Sequence, residues 1–156
     1  MKIGIDIGGT KIEGVVLDSD GRTIKRERIS TESEKGYDHI LHQIKTLYSQ
    51  LTSDVSLISS VGVCTPGVLS SDSDMLKNSN TQCLIGKPIK KDIESFVGTE
   101  INIENDANCF AQAEAILGAG KGYNVVFGVI MGTGVGGGIV FIGNVHKGTH
   151  SIAGEW

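Results

Sequence analysis

One short pattern occurs twice in this chain, 124 residues apart counted from Gly4 to Gly128. Gly4-Ile5-Asp6-Ile7-Gly8-Gly9-Thr10 aligns with Gly128-Val129-Ile130-Met131-Gly132-Thr133-Gly134, and in the same register Gly14-Val15-Val16 meets Gly138-Ile139-Val140. Each copy reads as apolar strand, tight glycine turn, apolar strand. The second copy looks like the start of a duplicate domain that the chain is not expected to finish. The pattern also gives the glycines a purpose. They number 22 of 156 residues, about twice the usual ~7%, with no collagen-like period, so they serve particular backbone positions.

The second copy sits in a stretch without formal charge between Lys121 and Lys147, and Val125–Gly143 is long enough to span a bilayer. Seven of those nineteen residues are glycine, and each costs a helix ~1 kcal/mol relative to alanine. The apolar residues fall into two blocks, Val125–Met131 and Ile139–Ile142, on either side of Gly132–Gly138. Two buried strands joined by a glycine turn fit this better than a membrane helix, so no membrane association is expected.

Along the rest of the chain, Lys2–Ile7, Ile12–Leu17 and Arg22–Ile29 read as strands, the last two joined by a turn at Asp18-Ser19-Asp20-Gly21. Tyr37, Ile40, Leu41, Ile44, Leu47, Tyr48 and Leu51 recur at helical spacing, which predicts an amphipathic helix over 36–52. A strand over Leu57–Val63 follows, then an irregular loop over 68–87 of the kind that carries function. Pro88 opens a helix that Gly98 stops. Ile101–Glu104 is a strand, and a helix carrying Phe110, Ala113, Ile116 and Leu117 runs from Asp106 to Gly118. The order implies an α/β domain with a mixed sheet, antiparallel at first and parallel where helices cross over. Gly118-Ala119-Gly120-Lys121-Gly122 reads as a hinge, dividing the chain into 1–119 and 120–156.

Composition bounds the function classes. The formal net charge of −4 leaves no basic excess for a nucleic acid or an anionic membrane surface. With 39% apolar residues and two prolines the chain is expected to be ordered. Cys64, Cys83 and Cys109 are odd in number and widely spaced, as reduced thiols of a cytosolic protein are. Asp6 interrupts the apolar run that a secretion signal at the start would need.

Several motifs bear on chemistry. In Asp6-Ile7-Gly8-Gly9-Thr10-Lys11 a glycine turn after a strand lets backbone N–H groups approach an anion. The same motif adds a hydroxyl, an ammonium, and a carboxylate able to hold Mg²⁺ through water. Read alone, Gly-Gly is an ordinary tight hairpin. A carboxylate within a strand expected to be buried tips the reading toward function, because an unpaired buried charge is costly. Gly132-x-Gly134-x-x-Gly137 has the spacing of a dinucleotide fingerprint but runs into a strand instead of a helix. The two turns could instead clamp an oligophosphate. Asn105-Asp106 stands where a strand meets a helix, and Asp106 reads either as a helix N-cap or as a general base taking a proton from a substrate hydroxyl during phosphoryl transfer. His146 and His150 are spaced like a metal pair, although Gly148 interrupts them. His39 and His42 are expected on a solvent face, and Cys109 in a core.

Together these segments resemble the ROK family of sugar kinases and repressors, members of the actin and hexokinase-like ATPase superfamily with ribonuclease H-like lobes. The resemblance rests on Gly4–Lys11, Val61-Gly62-Val63-Cys64-Thr65-Pro66-Gly67, Glu104-Asn105-Asp106-Ala107-Asn108-Cys109, Gly132-Thr133-Gly134-Val135-Gly136-Gly137-Gly138 and Ala153-Gly154-Glu155-Trp156, in family order along the whole chain. It implies ATP-dependent, Mg²⁺-assisted phosphorylation of a hexose hydroxyl, O6, with Asp106 as the base and Asp6 near the metal. Gly4, Gly8, Gly9, Thr10 and Lys11, with Gly132, Thr133, Gly134, Gly136 and Gly137, would meet the ATP phosphates. Gly67, Asn80, Asn105, Asp106 and Glu155 would meet the sugar, where planar amides and carboxylates pair with vicinal hydroxyls.

Lys77-Asn78-Ser79-Asn80 and the final Ala-Gly-Glu-Trp are most similar to fructokinase and mannokinase members, which implies fructose as acceptor, with N-acetylglucosamine kinases and glucokinases as rivals. The family pattern continues past Trp156 with Gly-His and a cysteine-rich zinc site, so zinc is expected only there. The chain is expected to be an N-terminal lobe, 1–119, with the first hairpin of a second, weakly active or inactive alone and self-associating or dimeric through exposed apolar surface. A repressor would carry a DNA-binding domain before the first turn, and a non-catalytic sugar-binding module is the remaining alternative.

Overall fold

The computed structural model describes residues 1–131, 135–149 and 151–155. The chain forms two compact units, Met1–Ile103 and Glu104–Trp156.

The first unit opens with three strands in a meander, β1 (Lys2–Ile7), β2 (Lys11–Leu17) and β3 (Thr23–Ser30). Helix α1 (Tyr37–Thr52) then leads to β4 (Ser60–Thr65), which pairs parallel to β1. A second helix, α2 (Ile89–Val97), precedes β7 (Asn102–Asn105), which begins in this unit and completes a five-stranded sheet of order β3-β2-β1-β4-β7. This is the expected mixed sheet. Period-2 alternation in β1, β2 and β4 sends Ile3, Ile5, Ile7, Ile12, Val16, Val61 and Val63 into one core with Ile40, Ile44, Leu47 and Leu51 of α1 and Ile89 and Ile93 of α2. Gly98, in the left-handed region at φ 78°, ends α2 by donating its N–H to Glu94 O at 2.9 Å.

The irregular loop expected over 68–87 has more order than its composition suggests. Two short strands, β5 (Val68–Leu69) and β6 (Leu76–Lys77), form a hairpin, and a 3₁₀ turn follows at Gln82–Leu84. Leu76 and Leu84 anchor it in the core. They are too far apart to give a periodic signal. The strand expected over Leu57–Val63 runs instead over Ser60–Thr65, and Leu57 is 74% exposed. His39, expected on a solvent face, lies 2.7 Å from Glu32 Oε2.

In the second unit α3 (Asp106–Ile116) lies on a three-stranded sheet of order β10-β9-β8, built from β8 (Val125–Met131), β9 (Val135–Phe141) and β10 (Asn144–Val145). Shifted back by 124 residues, β8 and β9 fall on positions 1–7 and 11–17, close to β1 and β2. The register differs by one residue: Ile7 faces Ile12, whereas Met131 faces Val135. The helix presents small residues to the sheet, with Ala107, Asn108 and Ala111 buried, while Phe110, Ile116 and Leu117 are exposed. Gly128 and Gly138 permit this close approach, since a Cβ on either would stand 2.8 Å from Ala111 Cβ.

The opposite face of the hairpin carries Val125, Phe127, Met131, Val135 and Phe141, all exposed, so these strands, read as buried, are covered on one face, and the hairpin shows the exposed apolar surface expected of it. The compact division follows the packing of α3 on β8 and β9, whereas the expected boundary at 119/120 follows glycine punctuation. Among the described residues no helix is long and apolar enough to cross a membrane.

Candidate functional site

The sequence-predicted residues form two groups, one in each unit. In the first, the turn between β1 and β2 is closed by Gly8 N–H donating to Lys11 O at 2.9 Å. A Cβ on Gly8 would stand 2.9 Å from that same oxygen, so only glycine fits the turn without a shift. Buried Thr31 supports it from behind: its hydroxyl donates to Gly8 O at 2.6 Å and its N–H to Thr10 O at 3.0 Å. Gly9, Thr10 and Lys11 are exposed. Thr31 carried no signal in the sequence, since nothing in its spacing links it to a turn twenty residues earlier.

Asp6 corrects one expectation. Its strand is buried on one face only, and even-numbered positions of β1 point away from Ile3, Ile5 and Ile7, so the carboxylate is exposed. Its cross-strand neighbours are Glu13 on β2 and Cys64 on β4. Gly4 lies on the same face, where a Cβ would meet Val15 Cγ2 at 3.3 Å. Partial burial pushes the Glu13 carboxyl up, but hydrogen bonds from Arg28 and Arg26, each 2.5 Å, outweigh it and hold the group below the usual range.

Gly67, buried at φ 140°, closes the turn after β4. A Cβ there would stand 2.7 Å from Lys77 O and 3.2 Å from Ser79 Cβ. This close approach brings the segment 77–81 beneath the turn, with Ser79 and Thr81 buried and Asn78 and Asn80 exposed.

In the second unit the strand-to-helix junction shows that Asp106 is not the N-cap of α3. Asn105 is the N-cap of α3: its Oδ1 accepts the Asn108 N–H at 3.2 Å. Asp106 is therefore the first helical residue, and its Oδ1 accepts from Asn105 Nδ2 at 3.0 Å and from Ala107 N–H at 2.8 Å. Among the described residues no donor reaches Oδ2, and Asp106 is exposed. Two backbone and amide donors fix one oxygen and leave the other aimed outward, with the helix N-terminus behind it.

Glu155 approaches the same junction. Its Oε1 lies 3.3 Å, and Ala107 Cβ 3.4 Å, from the position a Gly136 Cβ would take. Loss of water there, with the nearby charge of Asp106, pushes the Glu155 carboxyl above its ordinary value. Gly136 and Gly137 belong to β9, not to the turn before it, facing Ile130 and Val129. Gly137 makes room for Gly154 O and the Phe127 ring. Gly132, Thr133 and Gly134, expected to meet phosphates, lie outside the described residues, as do His150 and Trp156. His146 is exposed and packs edge-on against Phe141 at 5.4 Å.

Mg²⁺ usually takes one or two carboxylates plus substrate phosphates and keeps several waters, needing no all-protein cage. Asp6 supplies one such carboxylate, exposed two residues before the turn.

Comparison with known proteins identifies the family and the fold. The ROK family model matches residues 2–156. An N-acetyl-D-glucosamine kinase of Histophilus somni is 39% identical over 155 residues, covering 99% of this chain and 50% of that protein. A ROK family glucokinase from Streptomyces griseus, solved in complex with glucose and AMPPNP, superposes with a TM-score of 0.88 at 30% identity over 99% of this chain and 48% of its own. ROK hexokinase from Thermus thermophilus gives 0.85 at 30% identity, covering 99% and 51%. The chain thus spans about half the length of the relatives it matches, and within that half it has the fold of the actin and hexokinase-like ATPases. With the glycine turn, the Asn105-Asp106 junction and a family match along nearly every residue, the chain belongs to the ROK family.

Proposed function

We propose that, within a protein of its relatives' full length, this chain takes part in transfer of a phosphoryl group from ATP to a hexose hydroxyl, O6, with Asp106 as general base, and that the chain alone is weakly active or inactive. The observation that carries this reading is the Asp106 carboxylate itself. One oxygen is fixed by Asn105 and Ala107 and the other is open, at the start of an 11-residue helix. A base held in this way can take the hydroxyl proton as the oxygen attacks phosphorus. Asn105, Glu155, Asn80 and the turn at Gly67 receive the sugar. Glu155, disfavoured as an anion by its surroundings, is suited to a hydroxyl partner. The Gly8–Lys11 turn takes nucleotide phosphates through backbone N–H groups and the Lys11 ammonium, and Asp6 would hold Mg²⁺ through water. Bound Mg²⁺ would neutralise charge developing on the phosphates.

The relatives named above are kinases of N-acetylglucosamine, glucose or hexose, which supports an aldohexose or N-acetylhexosamine as acceptor. Fructose, suggested by Lys77–Asn80, is the narrower reading and has no support among them. Self-association through the exposed face of β8 and β9 belongs to the same proposal.

The test is ADP release by a protein that carries this chain at its relatives' full length, with N-acetylglucosamine, glucose and fructose as separate acceptors, beside calorimetry with each sugar. Sugar-dependent ADP release is expected, and D106N should lose ~10²–10⁴-fold in kcat, the usual worth of a general base. A D106N variant as active as its parent, or a protein that neither binds nor phosphorylates any hexose, refutes the proposal.

A further inference from the structure

Glu104, the residue before the Asn105-Asp106 junction, is only 21% exposed at its side chain. Its Oε1 accepts the Asn105 N–H at 3.0 Å and Asn108 Nδ2 at 3.2 Å, and its Oε2 lies 2.6 Å from Lys147 Nζ. One carboxylate thus joins the end of β7, the first turn of α3, and a residue about forty positions later in the chain.

Lys147 stands at the neck of a loop. Ala153 N–H donates to Lys147 O at 3.2 Å, bringing these two residues together, and Glu155 N–H donates to Ile152 O at 3.1 Å. Past the neck, Gly154 lies against β9, where a Cβ would stand 2.5 Å from Gly137 O and 2.7 Å from Gly138 Cα. The loop is therefore held at two points, by backbone contact at Gly154 and by charge at Lys147. Glu155 follows directly and sets its carboxylate beside Gly136 and Ala107.

We propose that the Glu104–Lys147 ion pair is a tether that holds residues 147–149 and 151–155 against the start of α3, and that Glu104 and Lys147 are positioning residues for hexose recognition by Glu155. The second half of this inference rests on the sugar-kinase reading. Neither residue touches the open oxygen of Asp106 in this arrangement; both act through the loop. An ion pair suits the task because it connects the β7–α3 junction to a segment in which, among the described residues, only Gly154 is buried. Its geometry is set by the two hydrogen bonds that Glu104 already accepts, from Asn105 N–H and Asn108 Nδ2.

Three variants of the purified protein test it. K147M removes the charge but keeps an apolar stem, E104Q keeps an acceptor for Asn105 and Asn108, and K147R keeps the charge. K147M and E104Q are expected to speed amide hydrogen exchange across 147–155, and to raise the hexose KM or Kd, by ~3- to 10-fold each, the scale of a partly exposed charge pair. The nucleotide KM and Tm should stay near the parent's, and K147R should match the parent in every readout. Unchanged exchange in both charge-removing variants refutes the tether. Faster exchange with an unchanged hexose KM refutes the positioning role. If the parent neither binds nor phosphorylates a hexose, the kinase reading and the positioning role fall together, while hydrogen exchange still decides the tether on its own.

Discussion

Replacing Gly138 by alanine tests the contact that seats α3, and with it Asp106, on the second sheet. The new Cβ would stand 2.7 Å from Ala107 O, 2.8 Å from Ala111 Cβ and 3.0 Å from Asn108 Cα. Ordinary contact begins at 3.4 Å, so the first two overlaps are about 0.6–0.7 Å. Backbone atoms cannot rotate away as a side-chain tip can, so the helix must move as a body. Overpacking of this kind costs ~1–3 kcal/mol. Against it stands the ~0.4–1 kcal/mol that a glycine-to-alanine change contributes by restricting the unfolded chain. Gly62 provides the reference, because a Cβ there meets nothing within 4 Å and its φ is not positive. G62A should receive the entropic gain alone. For a chain of this length ~1 kcal/mol moves Tm by ~2–4 °C. In thermal unfolding followed by circular dichroism, G138A should therefore melt several degrees below the parent and G62A at or slightly above it. If G138A melts with G62A, the glycines do not set the helix-to-sheet distance, and the account of why this segment is so rich in glycine is wrong.

Other consequences can be measured separately. T31V keeps the volume of Thr31 but removes the hydroxyl that donates to Gly8 O at 2.6 Å. It should cost about 1 kcal/mol and raise the nucleotide KM while hexose binding, measured by calorimetry, stays as in the parent. Glu155 has a folded-state pKa raised by lost hydration and by Asp106, so its contribution to stability is present below its unfolded pKa and is lost as pH rises through the folded value. E155Q should thus match the parent in acid and be the more stable protein at neutral pH, while binding hexose more weakly; urea titrations across pH 4–8 would reveal a contrary sign. Val125, Met131, Val135 and Phe141 share an exposed face. Light scattering should therefore show association that rises with concentration and resists salt, and V125K with F141K should reduce it.

Much of this protein is legible from residue order, because the patterns that determine it are local. Period-2 alternation in Lys2–Ile7 and helical spacing from Tyr37 to Leu51 each select an element without knowing its neighbours. A glycine turn repeated 124 residues later announces a second hairpin by the same local means. Where patterns depended on a distant partner, sequence alone misled or was silent. Asp6 looked buried because its strand is apolar, yet what covers each face of β1 is decided by α1 and α2, and they cover the isoleucine side. The glycines at 136–138 looked like a turn, whereas two of them owe their presence to Glu155, Gly154 and Phe127. The third owes its own to Ala107 and Ala111 of α3. Glu104 and Lys147 passed unnoticed, since an ion pair joining residues so far apart leaves no periodic trace. Sequence determined the elements and the family, through backbone sterics and side-chain spacing that act over a few residues. Tertiary structure alone decided which oxygen of Asp106 is open and which loop is tied beside it, because those depend on atoms brought together only when the chain packs.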